Sequence, residues 1–114
     1  MIKNFYRVTP DLVKDIHDGE GTVKVATIYD KFATAMQFFH YTVLPVGATI
    51  GLHKHGNDEE FYVILEGTGE MELDGEKHQV SPGDVIVNKP FGSHGLRNTS
   101  DSEELKILVF EVKV

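Results

Sequence analysis

Residues 51–67 read GLHKHGNDEEFYVILEG. A turn signal, Gly56-Asn57-Asp58, separates HKH from a run of aromatic and branched apolar residues, the composition of a β-strand. Side chains alternate faces along a strand, so His53 and His55 point the same way, about 7 Å apart along the chain. Both imidazoles can reach one cation. Glu59 and Glu60 face opposite ways, so at most one of the two joins the histidines. Taken alone, the stretch is either the wet face of a sheet or half of a metal site.

The same pattern continues in both directions. Thr22–Tyr29, Thr34–Leu44, Ala48–His55, Glu60–Leu65, Gly69–Leu73, Lys77–Val80, Asp84–Asn88 and Glu104–Val112 all read as strands. Gly, Pro, Asn and Asp punctuate them. The clearest hairpin turns at Asp74-Gly75, a pair suited to a type I′ turn. That register sets Glu72 opposite Lys77 and Met71 opposite His78. Only Pro10–His17 carries a helical pattern, through Leu12, Val13 and Ile16, and is expected to form a short helix or turn. Residues 89–98, KPFGSHGLRN, read as a Gly/Pro-bounded loop or bend that places His94 at the start of a further segment. Many short strands with turns between them indicate an all-β sandwich or barrel. One compact domain spanning 1–114 is expected, with a barrel core at about 22–112 and a short N-terminal arm.

Composition narrows the partners. The formal net charge of −7 argues against a nucleic-acid partner, which would want a basic face, and against an anionic membrane surface. There are no cysteines, which removes disulfides, thiolate metal sites and cysteine nucleophiles. The N-terminus lacks the apolar core of a signal peptide, and no apolar run is long enough to span a membrane. A cytoplasmic protein is expected.

The spacings then connect. Gly47, His53, His55, Glu60 and Gly67 reproduce the first motif of the cupin superfamily, and Gly83, His94 and Asn98 stand at the separations of its second. The Pro-x-Gly element of the second motif departs, because Pro90 and Gly92 each sit one position late. Over residues 40–112 the chain resembles the small single-domain cupins. The resemblance implies a double-stranded β-helix (jelly-roll) barrel of two antiparallel sheets, with His53, His55, Glu60 and His94 holding one metal inside. It also implies pairing into a homodimer.

Three imidazoles and a carboxylate suit a divalent transition metal such as iron, manganese, nickel, zinc or copper, and are a poor cage for calcium. Four protein ligands leave open positions for a small-molecule substrate or ligand. Metal-dependent enzymes of oxygenase, isomerase, cyclase or decarboxylase type fit this set. So does a non-catalytic module that binds or stores a small molecule or metal. Glu59 is the reserve ligand should the register slip. His40 and Tyr62 are the catalytic candidates: His40 titrates near neutral pH, and Tyr62 shares the face of Glu60. Asn98 is expected to fix its loop through backbone hydrogen bonds, and His17 to lie on the surface.

Overall fold

The computed structural model describes residues 1–114 and contains ten strands. They are β1 (Asp11–Lys14), β2 (Thr22–Tyr29), β3 (Met36–Leu44), β4 (Thr49–Lys54), β5 (Asp58–Glu66), β6 (Gly69–Leu73), β7 (Glu76–Val80), β8 (Val85–Asn88), β9 (Ser93–Asn98) and β10 (Leu105–Lys113). Two antiparallel sheets face one another, ordered β1-β2-β3-β10-β5-β8 and β4-β9-β6-β7. Neither contains an α-helix, and no helix is long and apolar enough to cross a membrane. This is the expected all-β jelly roll.

Alternation decides what lies between the sheets. In β5, Glu60, Tyr62 and Ile64 are buried while their neighbours are less so, and in β10 the buried set is Leu105, Ile107 and Val109. All of these except Glu60 share one cluster with Leu44, Ile50, Met71 and Leu96. Burying one such side chain is worth about 1.5–3 kcal/mol, so the cluster holds the sheets face to face. A smaller cluster of Ala26, Ile28, Tyr41 and Val43 lies beneath Phe5 and Val8 of the N-terminal segment.

The Asp74-Gly75 turn has φ of 49° and 85°, and Glu72 and Met71 pair with Lys77 and His78 as the sequence indicated. Asn98 is buried; its amide donates to the carbonyls of Leu44 (3.0 Å) and Glu103 (2.9 Å) and accepts from the Ser100 N–H (2.9 Å). It ties the end of β9 to β3 and to the loop entering β10, the backbone-fixing role expected of it.

Two expectations are corrected. Pro10–His17 forms no continuous helix: Asp11–Lys14 adds as an edge strand to β2, with Val13 opposite Val23, and only a short 3-10 turn at Ile16–Asp18 follows. Asp15 and His17 then both adopt φ of 51°, which no helix accepts. The helical spacing of Leu12, Val13 and Ile16 lost to an available sheet edge. The second correction is β9, which the sequence marked only as a bend. SHGLRN has no β-branched residue, yet it pairs on both sides, with β4 and with β6. Tertiary pairing overrode a weak local preference.

The late Pro-x-Gly also has a structural outcome. Phe91, standing where the motif places glycine, adopts φ of 63° and is largely exposed. A side chain in the left-handed region costs about 1–2 kcal/mol. Phe91→Gly is therefore expected to raise stability by about 1 kcal/mol despite the greater freedom of glycine in the unfolded chain. Chemical denaturation checks this, and a less stable variant would show that Phe91 makes compensating contacts.

Candidate metal centre and adjoining cavity

The barrel brings four polar side chains from three elements to one point. A bulge in β4 between Ile50 and His53 re-aims that strand. His53 then sits directly opposite His94 of β9, His55 follows at the strand's end, and Glu60 enters from β5. The His55 N–H donates to the Gly92 carbonyl at 2.9 Å, so the bend holds the hairpin in place.

His94 Nε2 lies 2.8 Å from Glu60 Oε1, 3.0 Å from His55 Nε2 and 3.2 Å from His53 Nε2. All four ligand atoms fall within 4.8 Å of one another. His94 and Glu60 are buried; His53 and His55 are partly so.

The surroundings set the tautomers. His53 Nδ1 is 2.7 Å from the Gly51 carbonyl, which can only accept, so Nδ1 carries the hydrogen and Nε2 a lone pair. His55 Nδ1 faces two carboxylates, Asp58 Oδ1 at 2.8 Å and Glu111 Oε1 at 3.1 Å, with the same consequence. Lone pairs therefore converge on His94 Nε2 and Glu60. Glu60 Oε1 has no hydrogen-bond donor despite its short distance to His94, and His94 Nδ1 is also buried without a partner.

The Nε2 lone pairs of His53 and His55 and the Glu60 carboxylate, crowded in this way, are satisfied by a cation lying among them. Donors held about 2.1 Å from one cation at right angles stand about 3 Å apart, close to the spacings observed. The four residues thus fit a divalent transition metal, and the carboxylates behind His55 fit the usual orienting partners of a ligating imidazole.

Charge and burial tune the neighbours. Burial pulls the His53 imidazole down to about 4, which favours the neutral, lone-pair form. Glu111 is pushed up to about 7 by burial and by the facing carboxylates of Asp58 and Glu60. The sign of its effect on stability follows. Unfolded, Glu111 titrates near 4.5; folded, near 7. Below 4.5 both states are protonated and nothing is lost. As pH rises from 4.5 to 7 the unfolded chain releases its proton first, so the fold loses stability, and above 7 the loss is complete. Glu111→Gln cannot ionise. The metal-free variant should therefore melt above the metal-free wild type at pH 8, with the gap closing by pH 4.5. A gap independent of pH would refute this account.

Beside the centre lies a cavity of about 270 Å³, and Glu60 belongs to both. Tyr62 is fully buried in its wall, with its ring 4.9 Å from that of His94. Burial and the neighbouring Glu60 carboxylate raise its phenol well above the ordinary value, so it stays protonated. His40 lies in the same wall, stacked on Phe38 at 4.6 Å, outside the four-residue cluster. Burial lowers its imidazole, leaving the neutral form at pH 7. Glu59 points away and pairs with Lys89 at 3.2 Å.

Three residues escaped the sequence reading. Asp58 stands three positions after His55 and was within reach of a spacing argument. Glu111 comes from β10 and meets the site only because that strand pairs with β5, Glu111 opposite Glu60. His17 carried no signal at all. It is exposed, as expected, yet its ring stacks on His53 at 3.6 Å and 9° and forms part of the cavity wall.

Two antiparallel sheets closed around a histidine–carboxylate cluster define a β-barrel protein with a centre capable of holding a metal. The chain belongs to the cupin family: residues 40–111 match the family model of the Cupin domain. It is 31% identical over 113 residues to the oxalate-binding protein of Thermotoga maritima, covering 96% of this chain and 93% of that one. The crystal structure of a predicted oxalate decarboxylase from Thermotoga maritima superimposes with a TM-score of 0.96 at 29% identity, over 100% of both chains. An uncharacterized protein of Methanocaldococcus jannaschii is 47% identical over 66 residues, 58% of this chain and 52% of that one.

Proposed function

We propose that this cupin is a metal-dependent enzyme acting on a small organic acid, with His53, His55, Glu60 and His94 as the ligands of one divalent transition metal. The observation that carries the reading is the convergence of three imidazole nitrogens and a carboxylate oxygen within 4.8 Å of one another, beside a cavity that Glu60 also lines. The names of the Thermotoga maritima relatives, an oxalate-binding protein and a predicted oxalate decarboxylase, favour a carboxylate as the bound species.

When bound, the metal would supply Lewis-acid or oxygen-activating chemistry at its open positions. The chain's own groups do the rest. Asp58 and Glu111 hold the Nδ1–H of His55 and keep its Nε2 lone pair inward. Gly51 does the same for His53. Tyr62 keeps its phenolic proton and can donate to oxygen charge developing in the cavity. His40, neutral, can take or deliver a proton there. The apolar wall limits water around the acid.

The test is elemental analysis of protein purified without a metal-affinity tag, followed by assays of carbon dioxide release and oxygen uptake on small carboxylic acids. Stoichiometric metal with turnover of either kind meets the expectation. Stoichiometric metal and tight acid binding without turnover would favour the second reading, a binding or storage module, to which the name of the oxalate-binding relative also points. A homodimer is part of the proposal. Light scattering after size exclusion should give about twice the chain mass, and a monomer at micromolar concentration would refute it.

A further inference from the structure

The cavity beside the metal centre is more selective than the proposed function alone requires. The polar lining is Glu60, His40, Thr42, His17 and the Tyr62 phenol. The rest of the lining is apolar, with Phe38, Val25, Ile50 and Val109 from the barrel and Val13 and Ile16 from the N-terminal arm. No lysine or arginine lines it.

The missing cation matters. A divalent metal, three neutral imidazoles and the Glu60 carboxylate carry one net positive charge. A single negative charge on the ligand neutralises that centre. A second negative charge would be buried with no counter-charge in the wall, which is costly away from water.

Size leads to the same place. At interior packing density, 270 Å³ holds a ligand of roughly ten non-hydrogen atoms. Bare oxalate would leave roughly half of that space empty, in a cavity whose lining is mostly apolar.

Resting on the metal site proposed above, we infer that the ligand of this cavity is a monoanionic oxygen chelator with an apolar body, such as a 2-oxo or 2-hydroxy monocarboxylate bearing a branched side chain of about four carbons. Its carboxylate and adjacent oxygen occupy the open metal positions near Glu60. The side chain lies against Phe38, Val25 and the arm residues Val13 and Ile16. The arm lies outside residues 40–111, so this part of the wall lies outside the matched Cupin domain.

The experiment is calorimetric titration of the full-length chain loaded with manganese(II), its metal content verified by elemental analysis, with pyruvate, 4-methyl-2-oxopentanoate, 2-hydroxy-4-methylpentanoate and oxalate. The branched 2-oxo acid should bind at least about tenfold more tightly than pyruvate, because its extra carbons leave water for apolar wall. It should also bind more tightly than oxalate, and none of the four should bind the metal-stripped protein. The 2-hydroxy acid shows which oxygen beside the carboxylate the site prefers; either preference fits, provided that the tail effect is kept. Val13→Phe should erase the tail preference at unchanged metal content.

Oxalate binding as tightly as the branched acid, or no gain over pyruvate, would overturn the inference while leaving the metal site standing. A tail preference that survives Val13→Phe would place the side chain elsewhere and also overturn it. Failure to take up metal would remove the site and the inference together, and the elemental analysis reads that separately.

Discussion

Replacing His53 and His55 together with alanine should abolish stoichiometric metal binding. Those two residues supply half of the four ligand atoms that lie within 4.8 Å of one another. The two that remain, on His94 and Glu60, are 2.8 Å apart and form a pair rather than a cage. A metal that binds the folded chain and not the unfolded one stabilises it by about 2.7 kcal/mol at a hundred times its dissociation constant. For a domain of this size that is a melting-temperature rise on the order of 10 °C. The wild type should show such a rise on titration with the metal, and the double variant none. The variant's metal-free melting temperature should stay close to the wild-type value, since removing the two imidazoles relieves lone-pair crowding as well as removing contacts. Full retention of metal in the variant would refute the ligand assignment.

The second large effect is steric. A β-carbon on Gly51 would lie 2.0 Å from the His17 carbonyl oxygen and 2.7 Å from the Gly19 nitrogen, both backbone atoms. No side-chain rotation relieves that overlap; the arm or β4 must move. The arm is stitched to β4 here, with the Glu20 N–H donating to Thr49 Oγ1 at 2.7 Å and the Thr49 N–H to the Glu20 carbonyl at 2.8 Å. Gly51→Ala is expected to cost about 3 kcal/mol or more, at the upper end for overpacking. That corresponds to a fall in melting temperature on the order of 10 °C. Because the Gly51 carbonyl orients His53 and the His17 ring stacks on it, metal affinity should fall as well. Limited proteolysis tells the two forms of damage apart: faster cleavage before residue 22 means that the arm has lifted. A variant that melts like the wild type with a protected arm would refute the close approach.

Much of this protein was legible in its sequence because the rules involved are local. A two-residue side-chain alternation put His53 and His55 on one face and parted Glu59 from Glu60, whatever the rest of the fold. Asp74-Gly75 was a sufficient instruction for its turn, since few residue pairs accept two positive φ angles in succession. The spacing from Gly47 to Asn98 carried the family because each interval reflects a strand length or a turn that the barrel requires.

What the tertiary structure alone decided involves partners distant in sequence. Residues 10–17 carry a helical spacing, but the edge of β2 offered backbone hydrogen bonds that an isolated turn of helix could not match. SHGLRN became a strand because β4 and β6 flank it. Glu111 reached His55, and His17 reached His53, only through the pairing of β10 with β5 and the folding of the arm over β4. The sequence therefore named the four residues that converge. Which groups orient them, and which side chains wall the cavity, depended on long-range packing, whose contacts join residues that no spacing rule relates.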